Sequence, residues 1–361
     1  MEITRLPRPT DPAGPDFAPF ELDARLWDEV LAETAGDADL GQSALRRWAE
    51  CDPNPHTSTH WFGASVDSRL VGVATLDLPQ QDNRRIAYVS VAVEHDSRGR
   101  GIGGALLEAA LETAQADGRT NFQAWTWETR RDPAEGGLSA RDGDGVIDPA
   151  SPRAGFLLAH GFRLAQVETM SRLMLPDRNR LLGMLGDAAD AAGDDYELVS
   201  WVGATPPGHL DDVARLMEAM STDVPTGEAE LEAEAYDAAR VRLADARLDL
   251  AGATQIVTAA RHRRTGALVG FTRLIHDPAR PEVGDQWDTL VVGPHRGHGL
   301  GLWMKCRNLI ELSDARPAAR RVVTGNASEN AHMLAINTRL GFVPVAASGW
   351  FERREPTDGA Q

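Results

Sequence analysis

The sequence predicts an α/β protein built from two mixed α+β units in tandem, and three observations carry that expectation. The loop Arg-Gly-x-Gly-x-Gly occurs twice, from Arg98 in "DSRGRGIGGALLEAALETA" and from Arg296 in "PHRGHGLGLWMKCRNLIEL", at an offset of 198. At that offset the flanking segments follow one order in both halves: strand, loop, helix, strand, helix, strand. Each half then closes on Gly-Phe, at Phe162 and at Phe342.

Taken in chain order, each unit opens with helical stretches, "LDARLWDEVLAE" and "LGQSALRRWAE" in the first, "LDDVARLMEAM" and "EAELEAEAYDAARVRLADARL" in the second. A strand pair follows in each, with "VDSR" and "RRTG" suited to hairpin turns. The next strands, "RRIAYVSVAV" and "GDQWDTLVV", have the branched and aromatic residues of buried strands. Behind the glycine loops come amphipathic helices, with Ile102, Leu106, Leu107, Ala110 and Leu111 on one and Leu300, Trp303, Met304, Leu309 and Leu312 on the other. Further strands read as "NFQAWTWE" and "RRVVTG", and the short closing helices stop at glycine, the usual helix terminator.

From Arg98 to Gly161 the first half runs 18 residues longer than the second does from Arg296 to Gly341. The excess falls in residues 130–152, "RRDPAEGGLSARDGDGVIDPASP", whose Gly, Asp and Pro content predicts an inserted, mobile loop. The expected domains are 1–177 and 195–361, joined by a partly helical linker.

Length and composition agree with this layout. A chain of 361 residues, 42% hydrophobic and 25% charged, is long enough for two folded cores. The net charge of -17 argues against a nucleic-acid partner and would steer a cationic one. Two distant cysteines, Cys51 and Cys306, suggest neither a disulfide framework nor a metal site, and they fit a reducing cytoplasm. No segment reads as an export signal or a membrane span. The sole lysine, Lys305, reads as composition bias among abundant arginines.

Alternate glycines let a backbone turn tightly and leave amide N–H groups at a helix start pointing outward, a cradle for phosphate. A Walker loop would end in Gly-Lys-Ser/Thr, whereas Gly103-Gly104-Ala105 and Gly301-Leu302-Trp303 stand here. A dinucleotide fold would need an acidic residue ending the following strand, and Glu112 lies inside the helix instead. What remains is Arg98-x-x-Gly101-x-Gly103 with Arg296-x-x-Gly299-x-Gly301, which resembles the acyl-CoA signature of the GNAT acyltransferase superfamily. The resemblance covers nearly the whole chain, and its two-copy layout is similar to that of the mycothiol synthase family.

The resemblance implies direct transfer of an acetyl group from acetyl-CoA to a small-molecule amine, by a monomer or homodimer. It places the pyrophosphate on Arg98, Gly99, Arg100, Gly101, Ile102 and Gly103 after Val93. In the second half the matching contacts are Val291, Val292, Arg296, Gly297, His298, Gly299, Leu300 and Gly301. Asn326 and Asn330 would hold pantetheine or the thioester oxygen, and the position matching Asn330 in the first half is Ala150. Many relatives carry a tyrosine four residues before the closing glycine, where it protonates the departing thiolate. Here that place holds Leu157 in the first half and Asn337 in the second, so Asn337 would assist only by hydrogen bonding. Asp288 is the candidate base, with Ser90 opposite it in the first half, and Asp223 and Glu228 would receive the amine. On these grounds the second half is expected to be catalytic. A non-catalytic acyl-CoA-binding protein and a transferase for longer acyl groups stand as alternatives.

Overall fold

The computed structural model describes residues 1–141, 143–223 and 225–355. The first half runs β1 (Glu2–Leu6), α1 (Ala18–Ala35), α2 (Ala44–Glu50), β2 (Thr57–Val66), β3 (Arg69–Pro79), β4 (Ile86–Val93), α3 (Ile102–Ala116) and β5 (Asn121–Glu128). It continues through β6 (Leu138–Ser139), β7 (Val146–Ile147), α4 (Pro152–Ala159) and β8 (Arg163–Met174). After α5 (Arg178–Ala192) the second half repeats the plan with β9 (Tyr196–Val202), α6 (Leu210–Asp223), α7 (Ala238–Leu250), β10 (Thr254–His262), β11 (Leu268–His276) and β12 (Val283–Val291). It ends with α8 (Leu300–Ala315), β13 (Arg321–Ala327), α9 (Ala331–Leu340) and β14 (Val343–Arg354).

Local sequence explains the element ends. The β2–β3 hairpin turns at Asp67 and Ser68, both at positive φ (49° and 64°), as a type I′ turn requires. Side chains cap five helices: Ser43 on α2, Ser151 on α4, Asp177 on α5, Asp237 on α7 and Asn330 on α9. The inserted stretch 130–152 carries more structure than its composition suggests. β6 and β7 pair as a small ribbon, and Ile147 is fully buried in the first-half core.

Twelve strands form one sheet in the order β1-β2-β3-β4-β5-β14-β8-β13-β12-β11-β10-β9. The two strands that follow Gly-Phe are thereby exchanged. β14, from the end of the second half, lies between β5 and β8, while β8 pairs with β13. At the centre Glu168 of β8 faces Ser348 of β14, residues at matching places in the two halves. Burial follows the exchange: Phe351 of β14 is fully buried in the first-half core, and Leu173 of β8 packs into the second-half core. A buried phenylalanine of this kind stabilises by about 3–5 kcal/mol relative to alanine, so each half depends on the other for its last strand.

Helices cover both faces. On one, Phe17 beside α1, Trp48 of α2 and Leu248 of α7 share a cluster with Trp61 and Ile275, and α6 packs on Phe271 and Leu290. On the other, α3 and α4 cover the first half, and α5, α8 and α9 the second. Two parallel strand pairs open within the sheet. β4 and β5 pair only from Ile86 to Tyr88 and from Asn121 to Gln123; β12 and β13 pair only from Val283 to Asp285 and from Arg321 to Val323. Beyond those residues each pair splays, leaving strand-edge N–H and C=O groups for an extended ligand.

Candidate functional site

Each glycine loop sits at the mouth of its splay. Gly99 and Gly101 have φ of 73° and 79°, Gly297 and Gly299 of 85° and 70°, all in the left-handed region that favours glycine. Gly101 and Gly299 are the residues preceding α3 and α8, and at both helices no side chain accepts from the first-turn N–H groups. The five capped helices show that this is a local choice. A Cβ at Gly99, Gly101 or Gly297 would meet nothing within 4 Å, and one at Gly299 would touch only Ala191 Cβ at 3.5 Å. Uncapped donors, helix dipoles and open space fit the pyrophosphate of an acyl-CoA in both halves. Arg98 and Arg296 brace the loops, with Nε donating to Val93 O at 2.9 Å and to Val291 O at 2.8 Å.

The flanking residues differ between the halves. Arg100 lies in the first loop, where the second has His298, whose ring sits 5.4 Å from that of Tyr196. Tyr196 also hydrogen-bonds His295 at 3.0 Å, and burial, then His262 and His298, lower the His295 pKa. Ile102 and Leu300 are buried at the helix starts, while Gly103 packs near Phe156 and Gly301 near Ile336. Val292 N donates to Val269 O, so its amide is spent within the sheet.

Behind the second splay lies a buried polar chain. Lys305 Nζ donates to Asn337 Oδ1 at 2.9 Å, and Asn337 Nδ2 donates to Asn326 Oδ1 at 2.6 Å. Lys305 and Asn337 are buried, and Asn326, beyond the last residue of β13 that pairs with β12, is half-buried. A lysine ammonium only donates, so its position fixes the direction of both amides. Asn326 is left with an Nδ2 that has no partner among the described residues. Burial pushes the Lys305 ammonium down to about 7. The lysine that read as composition bias thus orients a site asparagine; its place in the interior of α8, where apolar residues recur, was the available signal.

The other expected residues are placed as follows. Asp288 Oδ2 accepts from Arg273 Nε at 2.8 Å and lies 2.5 Å from Arg273 Nη2, leaving Oδ1 without a partner among the described residues. Arg273 in turn lies over the Trp287 ring, 5.0 Å from its centroid, opposite Arg46 at 4.7 Å. Arg46, Arg273 and Trp287 border a cavity of about 250 Å³ between α6, α7 and the sheet, together with Tyr236, Asp245 and Gln255. Asn330 Oδ1 accepts from Met333 N and caps α9. Asp223 pairs with Arg296 at 2.8 Å, at the loop. Glu228 lies against the first half, 2.9 Å from Arg163 and accepting from Arg141 N. The structure therefore gathers Asn326 and Asn337 in one chain and sets Asp223 at the loop, apart from Glu228.

Glu168 escaped the sequence reading. It lies mid-sheet on β8, between β13 and β14, and its carboxylate has no hydrogen-bond partner among the described residues. Burial first, and Glu329 second, raise its pKa to about 7. Nothing in "AQVETMSR" distinguishes such a carboxylate from a solvated strand residue.

Residues 24–136 match the GNAT acetyltransferase family. Among solved structures the chain is similar to a tandem GNAT protein from the clavulanic acid biosynthesis pathway, at 28% identity and a TM-score of 0.72, covering 99% of each chain. A GCN5-related N-acetyltransferase from Sphaerobacter thermophilus shares the fold at 15% identity and a TM-score of 0.57, with 99% of this chain and 97% of that one covered. No curated protein sequence matches the chain. Among the described residues no helix is long and apolar enough to cross a membrane.

Proposed function

We propose that this chain, an acyltransferase with a GNAT-family domain and the tandem GNAT architecture, moves an acetyl group from acetyl-CoA to a small-molecule primary amine, with the reaction in its second half. GNAT acetyltransferases use acetyl-CoA, and both glycine loops offer the uncapped helix starts that its pyrophosphate needs. The units are 1–177 and 195–361, each completed by a strand of the other, and the compartment is the cytoplasm.

The observation that carries the choice of half is the chain from Lys305 through Asn337 to Asn326. It fixes an amide donor on β13 past its last residue paired with β12, and a donor set in advance beside a thioester carbonyl that gains negative charge as the amine attacks lowers the barrier. At the matching places the first half has Leu107, Leu157 and Thr126, so no lysine and asparagine pair fixes a donor there. Asp288 Oδ1 accepts the amine's proton directly or through water, while Arg273 holds the carboxylate in place.

The test blocks each loop in turn. Gly299→Glu and Gly101→Glu place the same carboxylate at similar φ, so strain of about 1–2 kcal/mol is common to both variants. Calorimetry should show one acetyl-CoA binding event lost in each. Thiol release against a panel of amines should fall about 100-fold or more in Gly299→Glu, the size expected when a transition-state contact is lost, and stay near the parent rate in Gly101→Glu. Turnover that survives Gly299→Glu and vanishes in Gly101→Glu moves the reaction to the first half.

A further inference from the structure

A second cavity, of about 500 Å³, lies on the face covered by α1 and α2, and its wall comes from both halves. At one end it is bounded by Val89 and Ser90 of β4 with Trp125 and Trp127 of β5, the two edges of the first splay. At the other it reaches Asp285, the last residue of β12 paired with β13, with Thr324 and Gly325 of β13, at the root of the second splay. Met170 of β8 forms the floor between them, and Trp27 and Leu31 of α1 with residues 40–42 form the roof. The two ends are five strand steps apart, about 24 Å.

Strand exchange explains why one cavity can touch both splays. β14 and β8 are the only strands between β5 and β13, so the two open strand pairs flank a common floor. The roof is also shared. Asp39, in the α1–α2 connection, pairs with Arg321 of β13 at 2.6 Å, and Asp37 pairs with Arg172 of β8 at 2.6 Å. A first-half segment is thereby held across the second-half strands.

We infer that the two acyl-CoA clefts open into this one chamber, so that an acyl chain held by either loop enters the space of a single acceptor, an elongated amine with an apolar, aromatic-stacking body. The inference rests on the acyl-CoA reading of both loops proposed above. The wall supplies the chemistry. Trp27, Trp125 and Trp127 give flat apolar faces, while Ser90, hydrogen-bonded to Thr75 at 2.6 Å, and Asp285, bonded to Trp287 Nε1 at 2.6 Å and Arg46 Nη2 at 3.2 Å, give polar ends. A long molecule lying along the floor would present one terminus to each cleft.

The test uses non-transferable thioethers of CoA as rulers. S-ethyl-CoA reaches only the splay, whereas the chain of S-dodecyl-CoA must continue into the chamber, and two such chains entering from opposite ends would overlap. Calorimetry is expected to give two S-ethyl-CoA bound per protein and one S-dodecyl-CoA. Gly101→Glu and Gly299→Glu should each still bind one S-dodecyl-CoA, showing that either loop accepts it alone. Two S-dodecyl-CoA per chain, or binding confined to one of the two variants, overturns the shared chamber. One S-ethyl-CoA per chain also overturns it while leaving acyl transfer at the remaining loop intact, and none at all overturns the acyl-CoA reading with it.

Discussion

The two halves are nearly the same below the splay and different above it. Both loops use left-handed glycines, both helices start uncapped, and both arginines donate to the strand that precedes them. Where the closing helix meets the splayed strand, the second half has Lys305, Asn337 and Asn326, and the first has Leu107, Leu157 and Thr126. Leu107 and Leu157 belong to an ordinary core, and Thr126 is buried. The scaffold that binds a phosphate has been kept twice; the groups that would meet a reacting carbonyl have been kept once. Because a buried lysine is costly, its presence in only one half marks where the fold accepts instability for a fixed donor.

That cost should be visible as a pH dependence, the largest effect expected. Lys305 has a folded pKa of about 7 against 10.5 for a free lysine. Between these values the unfolded chain holds one more proton than the folded one, so stability rises with pH across the window and is flat below it. The slope is about 1.4 kcal/mol per pH unit, summing to about 5 kcal/mol if the full shift is expressed. Urea unfolding of the parent should therefore show a gain between pH 7 and pH 10 that Lys305→Met lacks. A variant with the parent's slope would mean that Lys305 is charged and hydrated in the fold.

The next effect converts one half into the other. Lys305→Leu with Asn337→Leu gives the second half the apolar pair of the first and frees the Asn326 amide to rotate. The expected result is a fall in kcat of about 100-fold, the usual size for removing one preorganised donor at a developing oxyanion, with acetyl-CoA still bound at both loops. A change of only a few-fold would place the chain's role in stability alone.

Much of this comparison was legible in the sequence. The glycine loops, the order of elements and the closing Gly-Phe are local patterns, fixed by backbone conformation and helical or strand period, and the tandem α/β fold follows from them. The exchange of β8 and β14 was not legible, because both strands are apolar enough to fit either core and only packing decides which edge they join. The same holds for the site. Asn326 and Asn337 stand out as polar residues in apolar runs, but Lys305 gains meaning only when α8 and α9 bring it to Asn337. Asp223 and Glu228 share one acidic stretch, yet the chain carries them to a loop arginine and to the opposite half, respectively.

The smallest effect tests the seam between the halves. Glu168 and Ser348 are paired at the centre of the exchanged strands, and only one of them is ionisable. The folded pKa of Glu168, about 7 against 4.5, means that the folded chain holds one more proton between those values, so its contribution to stability falls as pH rises from 4.5 to 7. Above that window the carboxylate is charged in a desolvated place with Glu329 nearby. Glu168→Gln keeps the shape and removes the charge, so it should raise the unfolding free energy at pH 8, by at most about 3 kcal/mol, and leave it near the parent's at pH 4.5. Equal stability of the two proteins at pH 8 would show that water reaches the carboxylate, and the seam would then be an open surface of the sheet.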